Sequence, residues 1–408
     1  MAFWVSTWGN RKNEKIERGR KMKKYLGIAL AMAMTLSLAA CGGKTPSTDS
    51  TSNNDAPSFV ISEDPVVVSV EDDAKEEVEE EVIPPNSYRS ELTNEWISND
   101  IKDQRPLAVM IDNESVALPH YGTSAADIVY EMVNSTANNR ITRLMCIIKD
   151  WKSIDYIGSI RSTRPTNAMI FAEYNAILLH DGGPFYINDW LAHPNSRDHL
   201  SGGFARIDRG KAGFYEEYAT VEHWKGEGEY SGQNWKSISE RIDEAGFDTE
   251  YNSFYMGEHF KFANKEYDFD DDPAAVSAKL IKPNFPHNES TLTYDEKKGV
   301  YVYSEYGEEY VDALLDSHLE FKNVILYSTL MVEYDSNGYM AYNAIGHADY
   351  GYFCTNGKAI PISWTKDDQD SLTKFNRLDN GEEIELNTGK TYIAICPIDD
   401  FERTLVLK

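Results

Sequence analysis

The chain has 408 residues, 41% hydrophobic and 12% aromatic, with a formal net charge of −27. That length suits one large or two ordinary globular domains. The acidic balance repels phosphate backbones and argues against nucleic acid as a partner, and four cysteines are too few for a disulfide scaffold.

The N-terminus reads as an address. Lys21-Met22-Lys23-Lys24 is basic, and Tyr25 to Leu38 is mostly apolar and uncharged. This is the length of a signal-peptide core and short for a membrane span. It ends in Leu38-Ala39-Ala40-Cys41, which looks like a bacterial lipobox. Residues 22–40 are therefore expected to be a lipoprotein signal peptide, with Cys41 lipidated and tying the chain to the extracytoplasmic face of the cell membrane. A diacylated cysteine supplies the two chains that stable anchoring needs. Residues 1–21 carry Trp4, Trp8 and mixed charges; they read as an upstream extension, because Met22 opens a more ordinary signal.

Residues 41–103 are expected to form a disordered acidic tether. Ser, Thr, Asn, Asp and Pro dominate Lys44 to Pro57, Glu71 to Glu81 is an acidic run, and Pro84-Pro85 follow. Such a stretch buries little apolar surface and repels itself into extended forms.

Residues 104–272 read as an α/β domain with a mixed sheet. Leu107 to Ile111, Ile128 to Val133, Ile141 to Ile148 and Ile157 to Ile160 have strand patterns. Arg161-Ser162-Thr163-Arg164-Pro165 then opens a helical piece. A central strand is expected over Ala176 to Leu179, ending on His180-Asp181-Gly182-Gly183. Tyr186 to Ala192 and Trp235 to Ala245 read as helices, the second stopped by Gly246. After the acidic run Asp268 to Pro273, residues 273–408 read as a β-rich, antiparallel domain. It holds Asn337-Gly338, Asn356-Gly357 and Asn380-Gly381, and Asn-Gly is the strongest short hairpin signal.

Several of these segments, in order, resemble one family. They are Leu107 to Asn113, Ala126 to Glu131, Ile141-Thr142-Arg143, Ile157-Gly158 with Arg161-Ser162 and Arg164-Pro165, and His180 with Gly182-Gly183. Together they are similar to the YerB-type lipoproteins, described by N- and C-terminal domains of unknown function. The C-terminal resemblance runs from Asn323-Val324 through Trp364 to Gly389-Lys390-Thr391. The resemblance implies an α/β domain followed by a β-rich one on a lipidated tether, and carries no catalytic residues with it. It also implies a glycine pair where Asn138-Asn139 stand, proline at Ser159 and alanine at Asp181.

The chemistry concentrates on a few side chains. Arg143 shares a strand face with Ile141 and Met145, and a charge on an apolar face needs a partner. Glu131 is the candidate, as a structural ion pair; the alternative is a ligand clamp. Arg161 and Arg164 flank Ser162 at an expected helix start, where a carboxylate or phosphate is favoured. The alternative is pairing with the chain's own acidic groups. His180 stands near them as a ligand contact or, with Glu131, as an acid–base pair. His180 and Asp181 are adjacent on an extended strand and are expected to point apart. Cys146 lies in an apolar strand and reads as inert. The histidines show no metal-ligand spacing, and Asp268, Asp270 and Asp272 lack the glycine and glutamate of a calcium loop. No cofactor fingerprint, phosphate loop or nucleophile elbow is present, so neither metal nor cofactor is expected.

The expected function is a membrane-anchored envelope lipoprotein that binds an anionic ligand or a protein partner, with Arg143, Arg161, Ser162, Arg164 and His180 as contacts and no catalysis. The alternative is a hydrolase or other enzyme acting on cell-wall material through His180 and Glu131.

Overall fold

The computed structural model describes residues 83–398, 401 and 406–408. The expected upstream extension, signal peptide, lipidated Cys41 and the tether through residue 82 lie outside the described residues. Regular structure starts before the expected end of the tether at residue 103. Ser87–Arg89 pairs antiparallel with Trp96–Ser98. Between them Leu92 is buried, and Glu91 meets the buried Lys149 ammonium at 2.6 Å. One apolar anchor and one buried counter-charge hold a stretch whose composition alone reads as loop.

The framework is an eleven-stranded sheet. Its strands in chain order are β1 (Leu107–Asp112), β2 (Ile128–Val133), β3 (Thr142–Ile148), β4 (Ile177–His180), β5 (His199–Ser201), β6 (Val276–Ser277), β7 (Asn323–Thr329), β8 (Gly346–Thr355), β9 (Lys358–Lys366), β10 (Lys374–Arg377) and β11 (Thr391–Pro397). In space they run β6-β9-β8-β7-β11-β2-β3-β1-β4-β5, with β10 paired to β9. The sheet thus takes strands from both sides of residue 272. β7, β11 and β2 are parallel, as are β1, β4 and β5, while β3 runs antiparallel between β2 and β1. The C-terminal ends of β1, β2 and β4 therefore fall at one end of the sheet, beside the start of β3.

The mixed sheet agrees with the expectation, and antiparallel pairing dominates toward the C-terminus. Strands predominate over the helices an α/β label implies: α1 (Pro165–Phe171), α2 (Ile187–Leu191) and α3 (Ile238–Ala245) are all short. Two expected strands sit elsewhere. Ala176 to Leu179 becomes β4, one place from the sheet edge rather than central, because the C-terminal half supplies the other flank of the sheet. Tyr156–Gly158 joins a separate small sheet with Glu217–Thr220 and Ala205–Arg206.

Local chemistry explains the elements. All six residues of β1 are buried, as a strand with both faces covered requires. α3 opens on a capping box: the Ser237 hydroxyl accepts from the Glu240 N–H, and the Glu240 carboxylate accepts from the Ser237 N–H. Gly246 closes it at φ 69°. Asn356 (φ 48°) and Gly357 (φ 75°) turn β8 into β9, the two left-handed residues that such a hairpin needs. Asn138 and Asn139 take φ 47° and 59°, so asparagine fills left-handed positions where the family pattern implies glycine. The Gly158–Ser159 peptide, where that pattern implies proline, is cis.

A second, antiparallel sheet includes Thr291–Asp295 and Val300–Glu305. It meets the large sheet where Tyr303 and Tyr392 converge on Glu131.

Candidate functional site

β1 ends on Asp112, only 1% exposed. A carboxylate buried at the end of an apolar strand needs cationic partners, and two arginines supply them. Arg143 Nη1 lies 2.9 Å from Asp112 Oδ1, and Arg161 Nε donates to Asp112 Oδ2 at 2.6 Å. The first contact follows from register, since Asp112 pairs directly with Arg143 across β1 and β3. The second follows from residues 159–161, which cross the end of β1: Asp112 N–H donates to Ser159 O and Arg161 N–H to Met110 O.

Arg143 therefore does not pair with Glu131. In the β2–β3 register Met132 opposes Arg143 and Glu131 opposes Leu144. The two charges stand on opposite faces, and a side-chain period of two makes that separation absolute.

Arg164 joins the cluster without a carboxylate of its own. Its Nε donates to Asn134 O at 3.2 Å, and its Nη1 donates to Thr163 O at 2.8 Å and Ser162 Oγ at 3.2 Å. Its guanidinium lies 4.1 Å from the Tyr339 ring centre. Burial, and then the nearby Arg143 charge, lower its pKa to about 10, so it stays cationic at neutral pH. Among the described residues no carboxylate is within ion-pair reach of it. The seven residues of α1 are all buried and Asn167 takes the Arg164 N–H; the guanidinium groups, not the helix start, are what an anion would meet.

Aromatic rings frame these arginines. Arg161 lies 4.7 and 4.8 Å from the ring centres of Phe214 and Tyr215. On the other side, Tyr334 N–H donates to Tyr339 O, Tyr186 packs on Tyr334 at 4.3 Å, and Phe185 packs on Tyr186 at 5.4 Å. Asp335 accepts from the Tyr186 hydroxyl at this rim. Within the cluster, Arg143 Nε and Asn134 Oδ1 are buried without a hydrogen-bond partner, a state that native structures rarely leave unexplained.

His180 is 2% exposed and turned to other partners. Its Nδ1 donates to Gly182 O at 2.7 Å, which leaves Nε2 to accept from His199 Nδ1 at 3.1 Å. Burial lowers its pKa to about 4, with His199 adding to the fall, so the ring is neutral at pH 7. Among the described residues no hydrogen bond or ion pair links it to the arginines. Asp181 points apart from it, as expected, toward Glu217. The Glu217 pKa rises to about 7 through burial and the Asp181 hydrogen bond.

Glu131 is fully buried. Oε1 accepts from Thr142 and Ser290 hydroxyls at 2.8 Å each, and Oε2 from Tyr392 and Tyr303 hydroxyls at 2.6 and 3.0 Å. Burial raises its pKa against these bonds. Its partners are those of a sheet-to-sheet joint, and it does not meet His180. The Cys146 thiol is buried, and burial pushes its pKa up. Among the described residues no group of three or more His, Cys, Asp or Glu is arranged to hold a metal ion, and no helix is long and apolar enough to cross a membrane.

Asp112 and the aromatic frame are the parts of the site that the sequence does not single out. Asp112 had a signal, a charge closing a wholly apolar run. Phe185 and Phe214 lie in segments without periodicity, and nothing in the strand pattern that ends at Tyr334 marks its ring for a site.

With this architecture in view, the chain carries the two domains of one family. Residues 92–245 match the description "Protein of unknown function (DUF3048) N-terminal domain", and residues 281–393 match its C-terminal domain. It resembles the YerB-type proteins of that family. It is 30% identical over 94 residues to a Bacillus subtilis (strain 168) protein named "Putative lipoprotein YerB", a stretch covering 23% of this chain and 27% of that relative. A crystal structure of the Bacillus subtilis YerB protein shares the fold, with a TM-score of 0.61 at 20% identity, covering 77% of this chain and 98% of that one.

Proposed function

We propose that this chain is a lipid-anchored lipoprotein on the extracytoplasmic face of the cell membrane. It holds an anionic envelope ligand at Arg143, Arg161, Ser162 and Arg164 and performs no chemistry on it. One observation carries the reading: Arg143 and Arg161 share a single buried carboxylate at the end of a sheet, and a third guanidinium group, that of Arg164, lies near Arg143 with no carboxylate within ion-pair reach among the described residues. Arg164 Nη2 and both Arg161 Nη atoms make no hydrogen bond to the described residues. Guanidinium forks of this kind suit carboxylate and phosphate, and the ends of parallel strands are where such sheets place ligands. The anchoring part rests on Leu38-Ala39-Ala40-Cys41 and on the lipoprotein name of the relative.

Calorimetry of the full chain in detergent micelles against anionic cell-wall fragments tests the site. Binding heat is expected with wild type, and affinity about tenfold weaker or worse with Arg161→Ala and Arg164→Ala. No heat with any fragment would overturn the reading. For the anchor, Cys41→Ser is expected to leave the membrane fraction; its full retention there would refute lipidation at Cys41.

A further inference from the structure

The aromatic rings around the arginines narrow the ligand class. Phe185 is 85% exposed, Phe214 52% and Tyr334 47%. Three such rings connected through contacts to one arginine cluster are unlike the singly scattered apolar residues that any protein shows. They are linked to the cations through contacts. Phe185, Tyr186 and Tyr334 form one continuous aromatic run. That run reaches Arg164 through the Tyr334–Tyr339 hydrogen bond and the Tyr339 ring. Beyond Arg143 and Asp112, Arg161 bridges to Phe214 and Tyr215, whose ring centres are 4.2 Å apart. Contacts thus connect the largely buried cations to exposed rings through Tyr339 and Tyr334 on one side and through Arg161 on the other.

We infer that the anionic ligand is a saccharide chain carrying carboxylate or phosphate groups, its sugar faces on the rings of Phe185, Tyr334 and Phe214 and its anionic group on Arg161 and Arg164. This inference rests on the anion-binding reading above. Flat rings cover the apolar C–H face of a sugar at low entropic cost. The guanidinium groups fix where the charge lies along the chain. A small inorganic anion would engage the arginines and leave both aromatic flanks bare. An apolar partner would leave the guanidinium donors unpaired, at the cost that buried or covered polar groups carry. The charge balance points the same way: a local cationic excess on a chain of net charge −27 favours an anion over a cation at this one surface.

The test is calorimetry of the full chain in detergent micelles with four probes. They are oligogalacturonate, a sugar-phosphate polymer, chitotetraose and inorganic tripolyphosphate. One or both of the charged saccharides are expected to bind more tightly than chitotetraose and tripolyphosphate, and which of the two wins identifies carboxylate or phosphate as the group recognised. Phe185→Ala and Phe214→Ala together are expected to weaken the saccharide about tenfold and leave tripolyphosphate unchanged. Arg164→Gln is expected to weaken both. The side chains of Phe185 and Phe214 are at the surface, so an unchanged unfolding midpoint shows that the double variant is folded. If tripolyphosphate binds as tightly as the charged saccharides, or the aromatic variants bind them like wild type, the saccharide inference falls and the anion reading stands. If no probe gives heat, the anion reading falls and takes this inference with it.

Discussion

Asp112 and Arg143 face each other directly across β1 and β3, with Nη1 2.9 Å from Oδ1. The same carboxylate holds Arg161 at 2.6 Å. Asp112→Asn leaves both guanidinium groups without that charge, and removing one partner of a buried pair costs about 3–5 kcal/mol. Urea unfolding is expected to show a loss of that order. A loss under about 1 kcal/mol, the range of exposed pairs, would mean that solvent already balances these arginines.

Glu173 makes a second buried ionic knot, with His259 at 2.7 Å, Lys366 at 3.1 Å and the Thr373 N–H at 2.6 Å. Burial alone would raise its pKa, but the His259 bond and these other partners bring it below the ordinary value. A depressed carboxyl pKa gives stability that is present above the unfolded value, near 4.3. It is lost as pH falls through the folded value. Between pH 6 and 3 the wild type is therefore expected to lose stability relative to Glu173→Gln. The constant offset between them reports lost pairing; the slope reports the titration, and a flat difference would contradict it.

Glu305 has the opposite sign. It is 2% exposed, and burial, then the Glu131 charge, hold its pKa well above the ordinary value. A raised carboxyl pKa gives stability that is full below the unfolded value and declines as pH rises toward the folded one. Glu305→Gln keeps a neutral side chain at every pH. From pH 5 to 7 the variant is expected to gain on wild type by up to about 1.4 kcal/mol per pH unit. Denaturant unfolding across that range measures it, and a difference independent of pH would show that Glu305 is ionised in the fold.

Gly357 tests the β8–β9 hairpin. At φ +75° an added Cβ would lie 2.8 Å from Tyr294 Cδ1, so Gly357→Ala meets both backbone strain and a ring. The left-handed backbone alone costs about 1–2 kcal/mol, and thermal unfolding is expected to show at least that. A neutral substitution would imply that the turn changes type.

These cases mark what the sequence can convey. Ile128–Val133 reads as a strand because its apolar run needs no partner to be seen, and α3 reads as a helix because Ser237, Glu240 and Gly246 cap it locally. Arg143 lies on the other side of that limit. Which face it shares, and hence whether Glu131 or Asp112 neutralises it, depends on a register between β1, β2 and β3 that no local pattern sets. The centre of the sheet was illegible for a similar reason. β4 reads as central from its neighbours in sequence alone; β11, from the far end of the chain, takes the place between β7 and β2. His180 looked available because it ends a strand, and its bonds to Gly182 and His199 arise from loops with no periodic signal.

The placement of β11 also sets an order of events as the chain is made. β2 emerges early and β7 much later, yet neither gains its parallel neighbour until residues 391–397 arrive. Until then each strand presents a row of unsatisfied N–H and C=O groups, the kind of edge that recruits other chains. A message truncated before Thr391 would therefore yield a product with two sticky edges at places that are paired in the intact sheet, and the last strand of that sheet to appear closes both at once.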